Sequence, residues 1–325
     1  MRAAGIEAFG GEVHMLELGA PRSPAPDEVV IAVRAAGGRQ LGRDRPDGRL
    51  GRRPPTTARA RRRGGGRRRG RRRGGVRPHD RGRGTHPPVA ATGPGAWAEW
   101  LVAPAVLVAG KPAAASWDIA GAFPVPALTA DQALTDAAPT PAGSWVLVNG
   151  AGGVTGGLAT QLAIARAAII VPTAGPNSSE RVRGYGAHLV FDYHDSDWPA
   201  RVRDATPDRR GVDAAVNTAR GGAASAMRAV ADGGRLATIT GDPPPRERGV
   251  EVADVYVRAD GARLAALAET LAAGLLRLVV GASLALDEAA AALEGAVAGR
   301  AAGATVLTLQ RGGPATQALS PTKRR

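Results

Sequence analysis

The sequence predicts an α/β protein built on a doubly wound, mostly parallel sheet, preceded by a smaller β-rich region. From residue 144 onward, apolar runs of strand length alternate with stretches whose apolar residues recur at helical spacing. A glycine-rich turn joins the first such run to the first helical stretch. Strands separated by helices indicate a parallel sheet. The length of 325 residues exceeds the usual size of one domain, so two domains are expected.

The elements follow in order along the chain. Residues 1–37 are expected to form strands. Predicted strands lie at 29–33, 145–149, 169–171, 189–191, 212–216, 236–239 and 305–309. Predicted helices lie at 156–166, 178–185, 223–231, 262–273 and 287–297. The last residues of the chain are expected to fray.

The segment from Gly38 to Gly84 breaks this pattern. It holds 19 Arg and three acidic residues, a local net charge of +16, so the rest of the chain carries −2 of the total of +14. Its few apolar side chains cannot offset the entropy of ordering, and the sequence predicts disorder there. The basic isoelectric point therefore belongs to one segment and indicates nothing about partners of the remaining chain.

The residues that are missing exclude several functions. The chain has no cysteine, which excludes disulfides, Cys-ligated zinc and thiol nucleophiles. The five histidines (14, 79, 86, 188 and 194) show no metal-binding spacing, and no metal is expected. No apolar run suits a signal peptide or a membrane span, so we expect a cytoplasmic protein.

The strongest motif is the run 146–157, which leaves a predicted strand and opens a predicted helix. Gly150, Ala151, Gly153 and Gly156 keep its side chains small, so that backbone amides at the helix start can approach a pyrophosphate. A tight turn without a ligand is the alternative. The strand-to-helix position favours dinucleotide binding.

The end of the second strand selects the cofactor. An acidic residue there would bind the ribose hydroxyls of NAD. Residues 172–178 contain no acid, and Arg181 follows closely, which favours the 2′-phosphate of NADPH. A solvated helix arginine is the other interpretation of Arg181.

Further motifs resemble those of one family. They are the opening 1–37, Leu128-Thr129-Ala130, the loop 150–156, and the stretches 186–193, 211–218 and 233–236. In this order they resemble the zinc-free quinone oxidoreductase (zeta-crystallin-like) branch of the medium-chain dehydrogenase/reductase superfamily. The resemblance covers about 280 residues and fails only over 38–84.

The resemblance implies an architecture and a reaction. It implies a GroES-like catalytic domain in 1–115, a Rossmann NADPH-binding domain in 116–275, a C-terminal part in 276–310 that rejoins the first domain, and a tail in 311–325. It also implies hydride transfer from NADPH to a quinone or an α,β-unsaturated carbonyl. The sequence names no catalytic residue, and the proton donor stays open.

The resemblance also implies cofactor-binding residues. Thr129 would lie by the nicotinamide, and Gly175, Asn177, Arg181 and Tyr193 near the adenosine phosphate. The remaining implied contacts are Gly150, Ala151, Gly153, Val154, Gly156, Asn217, Thr218 and Gly241. A helix N-cap is the alternative for Thr129, and a strand-end aromatic is the alternative for Tyr193.

The chain departs from the family pattern after Gly37. The family continues with an Asn that contacts the nicotinamide, whereas this chain has Gly38-Arg39-Gln40. The family's "GxExxG" and "GDRV" stretches are also missing, and 303–307 lacks a family lysine. Arg, Gly and Pro all have G+C-rich codons, and the match resumes at 85–95 with little change in length. We therefore hypothesise that 38–84 is an out-of-frame reading of a reductase gene.

Three functions follow from the sequence. The first is an NADPH-dependent reductase impaired by the loss of 38–84. The second is an inactive cofactor-binding remnant. The third, less favoured, is non-specific nucleic-acid binding through the arginine-rich arm, which lacks aromatic residues for base stacking. A small-molecule partner is expected, without a membrane or a specific nucleic acid, and a homodimer is left open.

Overall fold

The computed structural model describes residues 1–7, 11–38 and 95–309. Within these ranges the protein is α/β, as expected. The predictions for the arginine-rich segment, apart from Gly38, and for the tail 311–325 lie outside the described residues.

The described strands and helices are numbered in chain order. The strands are β1 (Arg2–Gly5), β2 (His14–Glu17), β3 (Glu28–Ala32), β4 (Ala35–Gly37), β5 (Trp100–Pro104), β6 (Trp145–Asn149), β7 (Ile169–Pro172), β8 (Val212–Asn217), β9 (Val230–Thr238), β10 (Glu251–Asp254), β11 (Val280–Ala285) and β12 (Ala304–Thr308). The helices are α1 (Trp117–Ala122), α2 (Pro124–Gln132), α3 (Val154–Ala165), α4 (Pro176–Arg183), α5 (Trp198–Asp204), α6 (Ala223–Ala229), α7 (Gly261–Ala272) and α8 (Ala289–Val297). Among the described residues, no helix is long and apolar enough to cross a membrane.

Five parallel strands form the central sheet, in the order β10-β9-β8-β6-β7. Side chains alternate between the two faces of a strand. Along β6, Val146 and Val148 therefore pack into one core with residues of α2 and α3. Leu147 packs into the other core with residues of α5 and α6. A strand buried on both faces needs a continuous apolar run, which is the pattern that predicted β6.

A strand of the N-terminal region pairs with the last described strand of the chain. β4 lies antiparallel to β12, and β12 lies parallel to β11. Leu286, Leu307 and Leu309 form a smaller core there, against which Trp97 packs. β1 pairs with β2, and β3 pairs with β5, in two separate two-stranded sheets. The C-terminal strands thus return to the N-terminal region, while the domain boundaries at 115 and 275 stay predictions.

Two buried glutamines each bind the backbone of an arginine far along the chain. Gln132 Nε2 donates to the Arg258 carbonyl at 2.8 Å, and the Arg258 amide donates back to Gln132 Oε1 at 2.9 Å. Gln161 Nε2 donates to the Arg277 carbonyl at 2.9 Å, and the Arg277 amide donates back to Gln161 Oε1 at 2.7 Å. We call these pairs the glutamine clamps. α7 lies between the two clamped residues, so both ends of its segment are attached to the Rossmann core.

An ion-pair cluster joins the same elements. A π-helical turn, Ala133–Ala137, extends α2 and carries Asp136. Arg263 of α7 donates to Asp136 Oδ1 at 2.8 Å, and Arg258 donates to Asp136 Oδ2 at 2.5 Å. The hydrogen bond from Arg263 is the main reason that the pKa of Asp136 is lowered to about 2.

The structure corrects two sequence predictions and contains a helix, α5, for which no prediction was made. The strand predicted at 189–191 is reduced to a single bridge between Phe191 and Thr173. The helix predicted at 223–231 ends at Ala229, because β9 begins at Val230 and reaches its main pairing through an irregularity that includes Gly233 at φ +75°. α5 was not predicted, since Pro199 in its first turn looks like a turn signal but is well tolerated there.

Candidate cofactor site

A glycine-rich loop leaves β6 and opens α3 at the carboxyl edge of the central sheet. Gly150 has φ +88°, in the left-handed region that side-chain-bearing residues rarely adopt. A Cβ atom on Gly156 would lie 2.2 Å from the Gly150 carbonyl oxygen, so the helix start leaves no room for a side chain. Gly153 is the N-cap of α3. First-turn amides of a helix have no acceptor within the helix, so the loop can bind a phosphate.

Two threonines, Thr173 and Thr218, form hydrogen bonds with the backbone of this loop. Thr173 Oγ1 accepts a hydrogen bond from the Gly150 amide at 2.9 Å, and the Thr173 carbonyl accepts one from the Ala151 amide at 2.9 Å. Thr218 Oγ1 lies 2.9 Å from the Asn149 carbonyl and 3.1 Å from the Gly150 carbonyl and can donate to either. The backbone of the loop is therefore hydrogen-bonded to the residue after β7 and to the residue after β8.

Arg181 reaches the loop from α4. Its Nη2 donates to the Gly152 carbonyl at 2.7 Å, and the side chain is partly buried. It is therefore a bound side chain and not the solvated arginine of the alternative interpretation. Arg181 and Arg277 both line the cleft in front of Gly152 and Gly153. Two guanidinium groups beside a phosphate-binding loop give the cleft the positive charge that an anionic cofactor requires.

A second group of predicted residues meets at the N-terminus of α4. Gly175 is the N-cap of that helix. A Cβ atom on Gly175 would lie 3.1 Å from the Tyr193 ring and 3.2 Å from the His194 ring, so only a glycine fits without displacing them. His194 contacts Tyr193 and pairs with Asp192 through its Nδ1 at 2.7 Å. The His194 backbone amide and then its ring lower the pKa of Asp192.

Parts of the chain are similar in sequence to known dehydrogenases and oxidoreductases. A family model described as "Zinc-binding dehydrogenase" matches residues 185–307. The chain is 28% identical over 148 residues to the mouse quinone oxidoreductase, covering 45% of each chain. It is 32% identical over 153 residues to the Arabidopsis thaliana chloroplastic NADPH-dependent alkenal/one oxidoreductase, covering 46% of this chain and 37% of that protein. The alignments thus span less than half the length of these relatives.

Solved structures share the fold over nearly the whole chain. A mycobacterial protein solved in complex with NADPH is 22% identical, with a TM-score of 0.74 over 95% of this chain and 100% of that chain. A quinone oxidoreductase of Pseudomonas syringae pv. tomato is 20% identical, with a TM-score of 0.70 over 95% of this chain and 99% of that chain. The chain shares the fold of these oxidoreductases, and residues 185–307 match the dehydrogenase family model. An NAD-dependent alcohol dehydrogenase matches equally well, at 23% identity, a TM-score of 0.70 and coverage of 95% and 100%, so the fold alone does not select the cofactor.

The other predicted site residues lie at different distances from the loop. Thr129 is buried in the interior of α2, where its hydroxyl donates to the Val125 carbonyl at 2.7 Å, so the N-cap alternative is wrong. Asn217 is fully buried, and its side chain is hydrogen-bonded to Asn149, Thr238 and Thr240. Asn177 is exposed at the start of α4, and Gly241 is exposed after β9 with φ +72°. Their roles toward the cofactor stay predictions.

The arrangement fits a dinucleotide better than a metal. Gly150 and Gly156 form a cradle that a Cβ atom would fill, and arginines flank it. Within 1–7, 11–38 and 95–309, no group of three or more His, Cys, Asp or Glu side chains could hold a metal ion. The described residues therefore contain no set of ligands for the zinc that the description of the matching family names.

Sequence reasoning missed three residues of this site. Thr173 follows the strand β7 as an ordinary polar residue, yet it binds two consecutive loop amides. His194 follows the predicted Tyr193 directly, which was the available signal. Arg277 lies more than a hundred residues from the loop, and nothing in the sequence pattern brings it there.

Proposed function

We propose that this chain is a zinc-independent, NADPH-dependent oxidoreductase that transfers hydride to a quinone or an α,β-unsaturated carbonyl. The single observation that carries the proposal is the position of Arg181. This side chain binds the phosphate loop at Gly152, beside a strand end that has no acidic residue to bind the ribose of NAD.

Each part of the site has a task in this proposal. The loop amides and the start of α3 bind the pyrophosphate. Arg181 and Tyr193 bind the adenosine end, where the 2′-phosphate distinguishes NADPH from NADH. Bound NADPH supplies the hydride, while the protein supplies orientation and exclusion of water. Thr129, from the interior of α2, is proposed to lie by the nicotinamide.

The acceptor is inferred from the relatives. The mouse relative is named a quinone oxidoreductase, and the Arabidopsis relative is named an NADPH-dependent alkenal/one oxidoreductase. A relative from Aspergillus terreus, 35% identical over 118 residues and covering 34% of this chain and 39% of that protein, is named a trans-enoyl reductase. All three names describe reduction of a conjugated or quinoid acceptor. A cytoplasmic location and a homodimer belong to the proposal as further expectations.

We also propose that the sequence change after Gly37 impairs turnover. Gly38-Arg39-Gln40 stands where the resemblance implies an Asn that contacts the nicotinamide. A chain that binds NADPH without turnover would be the cofactor-binding remnant, which is the second candidate. Binding of polyanions through the arginine-rich arm is the third candidate.

Cofactor titration tests the proposal. The purified chain is titrated with NADPH and NADH, followed by fluorescence, and we expect tighter binding of NADPH. Arg181→Ala should weaken NADPH by ~1–3 kcal/mol, and NADH by less, because only NADPH carries the 2′-phosphate. Arg183→Ala, an exposed arginine two residues further along α4, is the matched control and should leave both affinities unchanged. Equal affinities for the two cofactors would overturn the NADPH assignment.

Turnover with 1,4-benzoquinone and with a small enone then separates the candidates. Saturable NADPH oxidation supports the reductase. NADPH binding without oxidation supports the remnant. Stoichiometric zinc by elemental analysis, after dialysis against a mild chelator, would contradict zinc independence.

A further inference from the structure

A row of buried polar side chains crosses the carboxyl edge of the central sheet. Asn149, Asn217 and Thr238 are the last residues of β6, β8 and β9, and they are partners in the strand register. Thr173 directly follows β7, the neighbour of β6 on the other side. All four side chains are buried. Because buried polar groups must be hydrogen-bonded, these side chains depend on one another.

The row is a continuous chain of hydrogen bonds, which we call the polar ladder. Thr173 Oγ1 donates to Asn149 Oδ1 at 2.6 Å. Asn149 Nδ2 donates to Asn217 Oδ1 at 2.8 Å. Asn217 Nδ2 donates to Thr238 Oγ1 and to Thr240 Oγ1, both at 3.0 Å. The ladder thus passes through four adjacent strands.

The ladder ends on a carboxylate. Thr238 Oγ1 donates to Asp242 Oδ1 at 3.0 Å, and Thr240 Oγ1 donates to the same oxygen. Asp242 lies in the loop after β9 and is partly buried. At the opposite end, Thr173 Oγ1 accepts the hydrogen bond of the Gly150 amide, the first residue of the phosphate loop.

The carboxylate sets the direction of the bonds in the ladder together with two backbone groups: the Ala219 amide donates to Asn217 Oδ1, and Asn149 Nδ2 also donates to the Gly222 carbonyl, both at 3.3 Å. An ionised carboxyl group only accepts, so the hydroxyls of Thr238 and Thr240 donate to it. Their oxygens then accept from the Asn217 amide group, which turns Asn217 Oδ1 toward Asn149. In the same way Asn149 turns its Oδ1 toward Thr173. In this direction every donor has an acceptor, whereas flipped amides would leave the Thr173 hydroxyl without one.

We propose that Asp242 is a positioning residue for the phosphate loop. It acts through the polar ladder: with the Ala219 amide and the Gly222 carbonyl, it orients the two asparagine amides and thereby holds the Thr173 hydroxyl against the Gly150 amide. The affinity of the loop for the cofactor pyrophosphate then depends on a carboxylate at the far side of four strands. The ligand named here rests on the proposed function, while the effect on the loop does not.

Ligand binding tests the proposal. Calorimetry measures the affinities for NADPH and for 2′-phospho-ADP-ribose, which lacks the nicotinamide. Asp242→Ala should weaken both ligands by about 10-fold, because the loop that binds their shared pyrophosphate is loosened. Asp242→Asn keeps an acceptor oxygen and should stay within about 3-fold of the original chain. Asp232→Ala removes an acid of β9 that pairs with Arg248 and lies outside the ladder, and it should have no effect.

A double variant tests whether Asp242 acts through Thr173. Thr173→Val removes the last hydroxyl of the ladder, and adding Asp242→Ala to it should cause no further loss. Independent, multiplied losses of about 100-fold would overturn the proposal. Loss of NADPH affinity with unchanged affinity for 2′-phospho-ADP-ribose would also overturn it, because Asp242 would then act directly at the nicotinamide.

A ligand-free measurement separates this proposal from the proposed function. The amide resonance of Gly150 in a ¹⁵N spectrum should shift in Asp242→Ala and in Thr173→Val, and stay unchanged in Asp232→Ala. If the chain binds neither ligand, the proposed function fails and the Gly150 resonance alone decides on the ladder. An unmoved Gly150 resonance in Asp242→Ala would overturn the ladder, whatever the ligand affinities.

Discussion

Two valine-rich strands of this chain have different surroundings. β6 has the sequence Trp-Val-Leu-Val-Asn, and β3 has Glu-Val-Val-Ile-Ala. Val146 and Val148 in β6 are fully buried, whereas Val29 and Val30 in β3 are 36% and 38% exposed. β6 has a parallel neighbour on each side and helices on both faces, while β3 pairs only with β5 among the described strands. A run of apolar residues therefore predicts a strand, but its neighbours determine how much it stabilises the fold.

The difference has an energetic meaning. Burial of apolar area contributes about 25 cal/mol per Å², so an exposed valine contributes little. The phosphate loop and the polar ladder belong to the well-buried region, since they are attached to β6, β7, β8 and β9. We therefore expect the cofactor site to be stable even where the N-terminal sheets are not.

Truncation of one side chain in each strand tests the comparison most strongly. Leu147→Ala should lower the free energy of unfolding by about 2–5 kcal/mol, because it leaves a cavity in a fully buried position of β6. Val30→Ala in β3 should change it by less than about 0.5 kcal/mol. Urea denaturation followed by circular dichroism measures both. Similar losses for the two variants would show that β3 is as well covered as β6.

A methyl group in the phosphate loop should affect binding more than folding. Gly156→Ala places a Cβ atom 2.2 Å from the Gly150 carbonyl, so the loop must move, and we expect NADPH affinity to fall by about 100-fold. Gly295→Ala in α8 is the control, because no atom lies within 4 Å of its Cβ position. It should leave binding unchanged and stabilise the helix slightly. Unchanged affinity in Gly156→Ala would place the cofactor elsewhere.

Acid should weaken the ion pair between Asp136 and Arg263 of α7 in a defined pH window. The pKa of Asp136 is lowered from 3.8 to about 2, so its ion pair with Arg263 stabilises the folded state above the unfolded value. That contribution is lost as the pH falls from about 4 to about 2. After allowance for solvent screening it is about 1 kcal/mol.

The Asp136→Asn variant measures this contribution. Its stability deficit, compared with the original chain by urea denaturation, should be largest at pH 6 and should shrink toward pH 3. A deficit that does not depend on pH would mean that packing, and not charge, explains the effect of the substitution.

The central sheet could largely be predicted from the sequence. The strands β6, β7 and β8 and the helix α3 follow from apolar runs, helical spacing and the glycine turn. β10 carries only four residues with two acids among them, so it has no such signal. The start of β9 was mistaken for helix because Ala229 and Ala231 favour helices in isolation. In each case tertiary pairing outweighed the local preference.

The candidate site was predicted only in part. The loop glycines and Arg181 follow from the motif and its position after a strand. The polar ladder does not, although β6 and β8 end in Asn, β9 ends in Thr and β7 is followed by Thr. Which polar ends share an edge depends on the strand order β9-β8-β6-β7, and that order cannot be obtained from the pattern along the chain.

The glutamine clamps have a consequence for local opening. The amides of Arg258 and Arg277 lie in irregular backbone, where hydrogen exchange with solvent is usually fast. Each is bonded to a buried glutamine, so neither can exchange until its clamp opens. These two amides should therefore exchange as slowly as those of the α7 core. The segment from 258 to 277 would then open as one cooperative unit, with its slow protons at both ends.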